Sequence, residues 1–288
     1  MELFRALAVL AEPPTAETAH VAAALDLGPP PAASVYTELF LLELYPYASV
    51  YLGAEGMLGG AARDLVAGFW RALGETPPAE PDHIAVLLAL YAHVAELHAQ
   101  ERAPERAALW QQARRALLWE HLLSWLPCYL AKLTDLAPPF YARWAELLTT
   151  ALRGETEQTG PLDALPLHLR AAPALVDPRT GTLADFLQSL LAPVRSGLIL
   201  TRADLQRAAR GLGVGTRIGT RAFSLQALLA QDASGTLDWL AREAADWTTR
   251  HPRHFAGLGN LGAHWAARAD ATARLLAELK LSIKDLLT

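Results

Sequence analysis

The stretch Glu80-Pro81-Asp82-His83 leads into Ile84-Ala85-Val86-Leu87-Leu88-Ala89-Leu90-Tyr91-Ala92, the most apolar run of the chain, and the fold is read from this junction. A proline suits the first turn of a helix, because the N–H it lacks would have no partner there. Asp82 then falls where the positive end of the helix dipole favours a carboxylate, an effect of about 0.3–1 kcal/mol. Ile84, Leu87, Leu88, Tyr91, Val94 and Ala95 recur at helical spacing and predict one apolar stripe. The junction thus predicts a helix starting at Pro81, with an acid and a histidine side by side at its rim. Taken alone, that pair is an ordinary helix start.

Outward from it the chain reads helix after helix. Glu2 to Ala11 and Ala16 to Leu25 predict a hairpin around Pro13-Pro14, ended by Gly28 and the prolines at 29 to 31. A third helix begins near Ser34, whereas Tyr47 to Gly60, with four glycines, reads as an open loop. Further helices are expected from Ala61 to Leu73 and from Pro138 to Leu152. Between them a helix from Pro104 places Trp110, Ala113, Leu117, His121 and Trp125 on one face, up to Pro127. Residues 155–166, polar and then broken by Gly160-Pro161 and Pro166, predict a linker. Beyond it the expected helices are Leu183 to Leu191, Arg202 to Arg210, Ser224 to Ala230, Thr236 to Arg250 and Ala263 to Leu281. No segment shows the period-two alternation of a sheet, and no repeat of fixed period is present. The expected fold is all-α: a helical bundle over residues 1–154, followed by an additional helical C-terminal unit over residues 155–288.

Composition narrows the class. With 288 residues, 52% of them hydrophobic and 19% charged, the chain can bury a sizeable core. Mean hydropathy is +0.16, yet no run reaches the ~18 apolar residues of a spanning helix, so no membrane insertion is expected. Met1 to Ala11 carries Glu2 and Arg5 and lacks a basic-then-apolar leader pattern, which predicts a cytoplasmic protein. The single cysteine, Cys128, lies in an apolar helix and reads as core. His251 and His254 stand three apart around Pro252 with no cysteine near, a poor zinc pattern, so no metal is expected.

Two more motifs flank the junction. Tyr36-Thr37-Glu38-Leu39-Phe40 precedes it, and Trp119-Glu120-His121-Leu122-Leu123-Ser124-Trp125 follows. An aromatic-x-x-Leu-Phe helix, a Glu/Pro/Asp-His junction and a His-Leu-x-x-Trp helix, in that order, resemble the TorD-like family of cytoplasmic redox-enzyme maturation chaperones, which includes DmsD-like and NarJ-like proteins. The resemblance spans roughly Tyr36 to Leu152. It departs at one point: the family pattern has a residue between Pro and Asp-His, whereas Pro81 abuts Asp82, so Asp82 and His83 match better than Glu80 and Pro81. The resemblance implies a chaperone without catalytic activity and without a cofactor. Its implied partners are the apo catalytic subunit of a molybdenum oxidoreductase and its twin-arginine leader peptide. Both a monomer and a domain-swapped dimer fit the family. Weak nucleotide binding is a family property that no motif here places.

Charge is uneven along the chain. Tyr36 to Glu101 carries nine acids against Arg63 and Arg71, a net −7 within a chain of net −5. Such a segment suits a basic, partly apolar peptide, or equally a solvated acidic face; the resemblance favours the peptide. Motif order and charge together predict a leader groove lined by Tyr36, Leu39, Phe40, Tyr51, Trp70, Glu80, Asp82 and His83, the aromatics taking the apolar stretch and Asp82 lying near the arginines. His121 and Trp125 are expected to be structural, with client contact as their second role. Arg195 to Arg221 is the counter-pattern, six arginines against Asp204. It is expected to dock on the acidic half through Arg207 and Arg210, with an acidic patch on the client as the alternative it would face. The rival reading is a helix-turn-helix DNA reader, against which the pI near 6.0 argues. Gly211, Gly213 and Gly215 are followed by no Gly-Lys-Ser/Thr and read as a turn. A third reading, a helical hydrolase, would use Asp82 and His83 as acid and base. Neighbours on a helix point about 100° apart, which disfavours it.

Overall fold

The computed structural model describes residues 1–161, 164–217 and 219–286. Within them the backbone forms helices only, apart from one isolated antiparallel bridge between Tyr47 and His83. It divides into two compact units. The first comprises Met1–Ser49, Leu58–Arg170 and Gly257–Gly259, and the second Val50–Met57, Ala171–Ala256 and Asn260–Thr288.

The first unit carries α1 (Glu2–Leu10), α2 (Ala16–Ala24), α3 (Ala33–Tyr36), the start of α4 (Ala48–Leu52), α5 (Gly60–Ala72), α6 (Ile84–Gln100), α7 (Pro104–Ala116), α8 (Leu126–Leu136), α9 (Pro139–Thr159) and most of α10 (Leu167–Ala171). Its centre is α6. Besides the expected stripe, Ala85, Leu90 and Ala92 are buried too, so most of the helix is covered and, ahead of its last turn, only the line of Val86, Ala89, His93 and Glu96 reaches solvent. Packing by α1 and α7 accounts for this: Phe4 of α1 meets Tyr91 at 4.9 Å between ring centres.

Two π-helical segments interrupt the α-helices, Thr37–Glu43 and Leu117–Leu123. They contain most of the two flanking motifs. The wider turn, in which the Leu44 N–H reaches the Leu39 carbonyl at 2.8 Å, shifts the phase of every later side chain. For this reason the expected single helix from Pro104 to Pro127 is three elements, and Pro127 stands in the first turn of α8. The expected loop from Tyr47 to Gly60 also differs, since it contains α4, with Tyr51 buried.

The expected linker at 155–166 begins too early. α9 runs on to Thr159, because Glu155 is buried there in an ion pair with Arg114 of α7. Tyr91 donates to the same carboxylate and receives a hydrogen bond from Arg114 Nε at 3.1 Å. Its phenol is pushed far above the ordinary range by burial and by Glu155. Three helices are tied by this network. Glu155→Gln would strand the Arg114 guanidinium and is expected to cost about 3 kcal/mol, read from urea unfolding. A loss below about 0.5 kcal/mol would show that the pair contributes little.

The second unit holds α11 (Leu183–Leu190), α12 (Pro193–Ser196), α13 (Arg202–Leu212), α14 (Arg221–Gln231), α15 (Ala233–His254) and α16 (Leu261–Leu286). The five expected helices of this half are present. α15 and α16 are its long antiparallel pair in sequence order and its most extensive contact. α12 ends at Gly197, whose φ of 74° and approach to Ala269 of α16 leave no room for a Cβ, which would meet the Ala269 nitrogen at 2.4 Å.

Candidate functional site

α6 starts at Ile84, not at Pro81, because His83 takes the capping position. Its backbone is extended and its Nδ1 accepts the Ala85 N–H at 3.3 Å. Pro81 and Asp82 form the turn before it. Asp82 is only 2% exposed, so the expectation of a carboxylate facing a ligand is corrected. Its Oδ2 accepts the Ser49 N–H at 3.0 Å, and its carbonyl accepts the Ala48 N–H at 3.0 Å. The Ile84 N–H in turn donates to the Pro46 carbonyl at 2.8 Å. Asp82 therefore caps the first turn of α4 from 33 residues away. The Asp82 carboxylate is thus engaged by the backbone of α4, which disfavours the acid–base reading of Asp82 with His83.

Two other carboxylates face solvent at this place, Glu12 and Glu80. The Tyr47 hydroxyl donates to Glu80 Oε2 at 2.8 Å, and the Tyr47 ring stands edge-on to His83 at 4.9 Å. Glu12 Oε1 lies 3.7 Å from His83 Nδ1. That nitrogen already accepts the Ala85 N–H, so the contact is proximity, not an ion pair. Burial lowers the His83 pKa, while Glu12, Glu80 and Asp82 oppose the shift. The Tyr36 phenol is pushed up to about 12, by burial first and by Glu12 and Glu80 after it. Tyr47 is raised by burial and by its bond to Glu80. The result is a pair of exposed acids over a tyrosine–histidine floor, all within the first unit.

The remaining expected residues divide. Tyr36, at the end of α3, and Leu39 and Phe40, on the inner side of the π-helical segment, are 5% exposed or less. Tyr36 stacks at a tilt on Phe40, and Phe40 meets Tyr141 edge-on, both at 4.9 Å. Buried in this way, they do not line an open groove. On the outer side of that segment Leu41 and Leu42 are each 45% exposed. Trp70 of α5 is half-buried, and its buried indole N–H has no acceptor among the described residues. Tyr51 is 1% exposed and belongs to the second unit. His121 and Trp125 are buried, with Trp125 Nε1 donating to the His121 carbonyl at 2.9 Å. His121 faces Phe69 and His168 at 5.2 and 6.1 Å.

Glu12 and Tyr47 escaped the sequence reading. Each lies beside prolines in what reads as a turn, and only the fold brings positions 12, 47 and 80 together. The clamp that does so is testable. Asp82→Ala leaves the buried Ser49 N–H unpaired and is expected to lower stability by about 2 kcal/mol in urea unfolding. An unchanged midpoint would remove Asp82 from the scaffold.

Residues 10–130 match the family model described as nitrate reductase delta subunit. Over this region the chain is similar to the NarJ/TorD-type family, a family of redox-enzyme maturation chaperones. The matched region contains the acidic cluster and both π-helical motifs. No curated protein and no solved structure matches the chain. Among the described residues no helix is long and apolar enough to cross a membrane. Nor does any group of three or more His, Cys, Asp or Glu stand ready for a metal ion.

Proposed function

We propose that the chain is a cytoplasmic, non-catalytic chaperone for a molybdenum-containing oxidoreductase. It binds the twin-arginine leader, the apo-form of the catalytic subunit, or both. It thereby assists cofactor insertion and delays export until the client is folded. The observation that carries this reading is the exposed pair Glu12 and Glu80 over Tyr47 and His83, inside the region that matches the chaperone family. Paired carboxylates suit two guanidinium groups, and the outward Leu41 and Leu42 offer apolar surface on the same unit. In this reading Asp82, Tyr36, Leu39 and Phe40 position the site, and Glu80 and Glu12 touch the leader. The role belongs to the first unit, and the second unit is a helical extension that supports the client interaction.

The test is calorimetric titration of a twin-arginine leader peptide against the wild type and Glu12→Gln/Glu80→Gln. Both side chains are exposed, so the variant should fold normally. Affinity is expected to fall about ten-fold, since a charge-assisted contact contributes roughly 1.5–3 kcal/mol before solvent screening. Binding should also weaken with added salt. Equal affinities would place the leader elsewhere.

A further inference from the structure

Three arginines of the second unit lack the partners that their neighbours have. Arg207 bonds Asp204 at 2.8 Å and reaches Glu243, both within the second unit. Arg195 donates to the Ala174 carbonyl, and Arg221 to the Leu200 carbonyl. Arg202, Arg210 and Arg217 pair with no carboxylate among the described residues. Two of them, Arg202 and Arg217, stand at a notch of about 110 Å³ between α13 and α14. Its floor is Leu205, Ala209 and Leu228, Ser224 is at its wall, and no acid lines it.

We infer that this notch binds an acidic peptide segment of a partner protein, in which a carboxylate flanks a leucine-sized side chain. The guanidinium pair takes the carboxylate in its planar fork, and the apolar floor takes the aliphatic group. Three amides of the glycine loop are already used within the unit, which disfavours a phosphate cradle there. The Gly213 N–H donates to the Arg210 carbonyl, Val214 to the Ala209 carbonyl, and Gly215 to Gln231 Oε1 at 3.0 Å. Gln231 Nε2 returns a bond to the Gly215 carbonyl at 3.0 Å and holds the loop shut. Anion recognition is left to side chains, and a free phosphate gains nothing from the apolar floor. The site is opposite in sign to the acidic cluster and independent of leader binding there.

Fluorescence anisotropy of the full-length protein tests it, with a labelled, end-blocked peptide of sequence Glu-Asp-Leu-Leu-Glu as probe. Saturable binding is expected, weakened about ten-fold or more by Arg202→Gln/Arg217→Gln. Both arginines are exposed, so thermal melting of that variant should match the wild type. Replacing the peptide's leucines by serine should cost about ten-fold as well, and its lysine-for-acid counterpart should not bind. Equal binding by the variant overturns the site. Competition by inorganic phosphate at the peptide's own concentration overturns the peptide in favour of a simple anion site. Displacement by random duplex DNA with a steep salt dependence overturns it in favour of a nucleic-acid surface.

Discussion

Lowering the pH from 6.5 to 4 is expected to remove roughly 5 kcal/mol or more of stability, through two buried histidines. His121 is held down to about 3 by burial, with His168 adding to the shift. His251 is held down to about 4, again by burial, with His254 and Arg250 adding to it and the Gly197 carbonyl opposing. His251 lies among Trp247, Phe255 and Trp265, and its Nε2 is 2.8 Å from that carbonyl, so the proton sits on Nε2 and Nδ1 is bare. Both rings are neutral in the folded protein. The unfolded chain takes up a proton on each near pH 6.5, so the stabilisation is complete above that pH and is lost as pH falls towards the folded values. Two sites give a slope of about 2.7 kcal/mol per pH unit in that window. Urea unfolding at half-unit steps measures it. His121→Gln/His251→Gln should flatten the slope by about two protons even though it lowers stability overall. A profile flat from pH 6.5 to 5 would show that these imidazoles are accessible to protons.

Trp125→Ala is expected to cost about 3–5 kcal/mol, the range for emptying a fully buried tryptophan site. Trp125 is 0% exposed, meets Tyr129 edge-on at 5.2 Å, and bonds the His121 carbonyl where the π-helical segment ends. The substitution removes both packing volume and that bond. Melting temperature should fall clearly, and leader affinity, measured below the new melting point, should stay near wild type. A variant that melts like the wild type yet fails to bind would move Trp125 from the core into the binding surface.

Much of the architecture was legible in the sequence. The five longer helices of the second half were anticipated to within a few residues, because periodicity, proline and glycine act locally, whereas the short α10 and α12 were not. The π-helical segments were not legible. Their apolar residues satisfy an α-helical pattern equally well, and the wider turn is chosen by packing. The start of α6 was misplaced for a related reason. Glu80-Pro81-Asp82 has the composition of a first helical turn, but Asp82 finds a distant donor in Ser49.

The sequence by itself determined the helical class, the excess of acid in one segment and of arginine in another, and a motif order that resembles that of the TorD-like family. These are properties of composition and local spacing. Only the tertiary structure decided which acids face solvent. Asp82 is turned inward to cap α4, while Glu12 and Glu80, far apart in sequence, stand over the same tyrosine and histidine. It likewise decided that Arg207 is paired, whereas Arg202 and Arg217 flank an open notch. A carboxylate or guanidinium looks the same in sequence whether it closes a cap or awaits a ligand. What distinguishes the two is the donor or acceptor that the fold brings within about 3 Å.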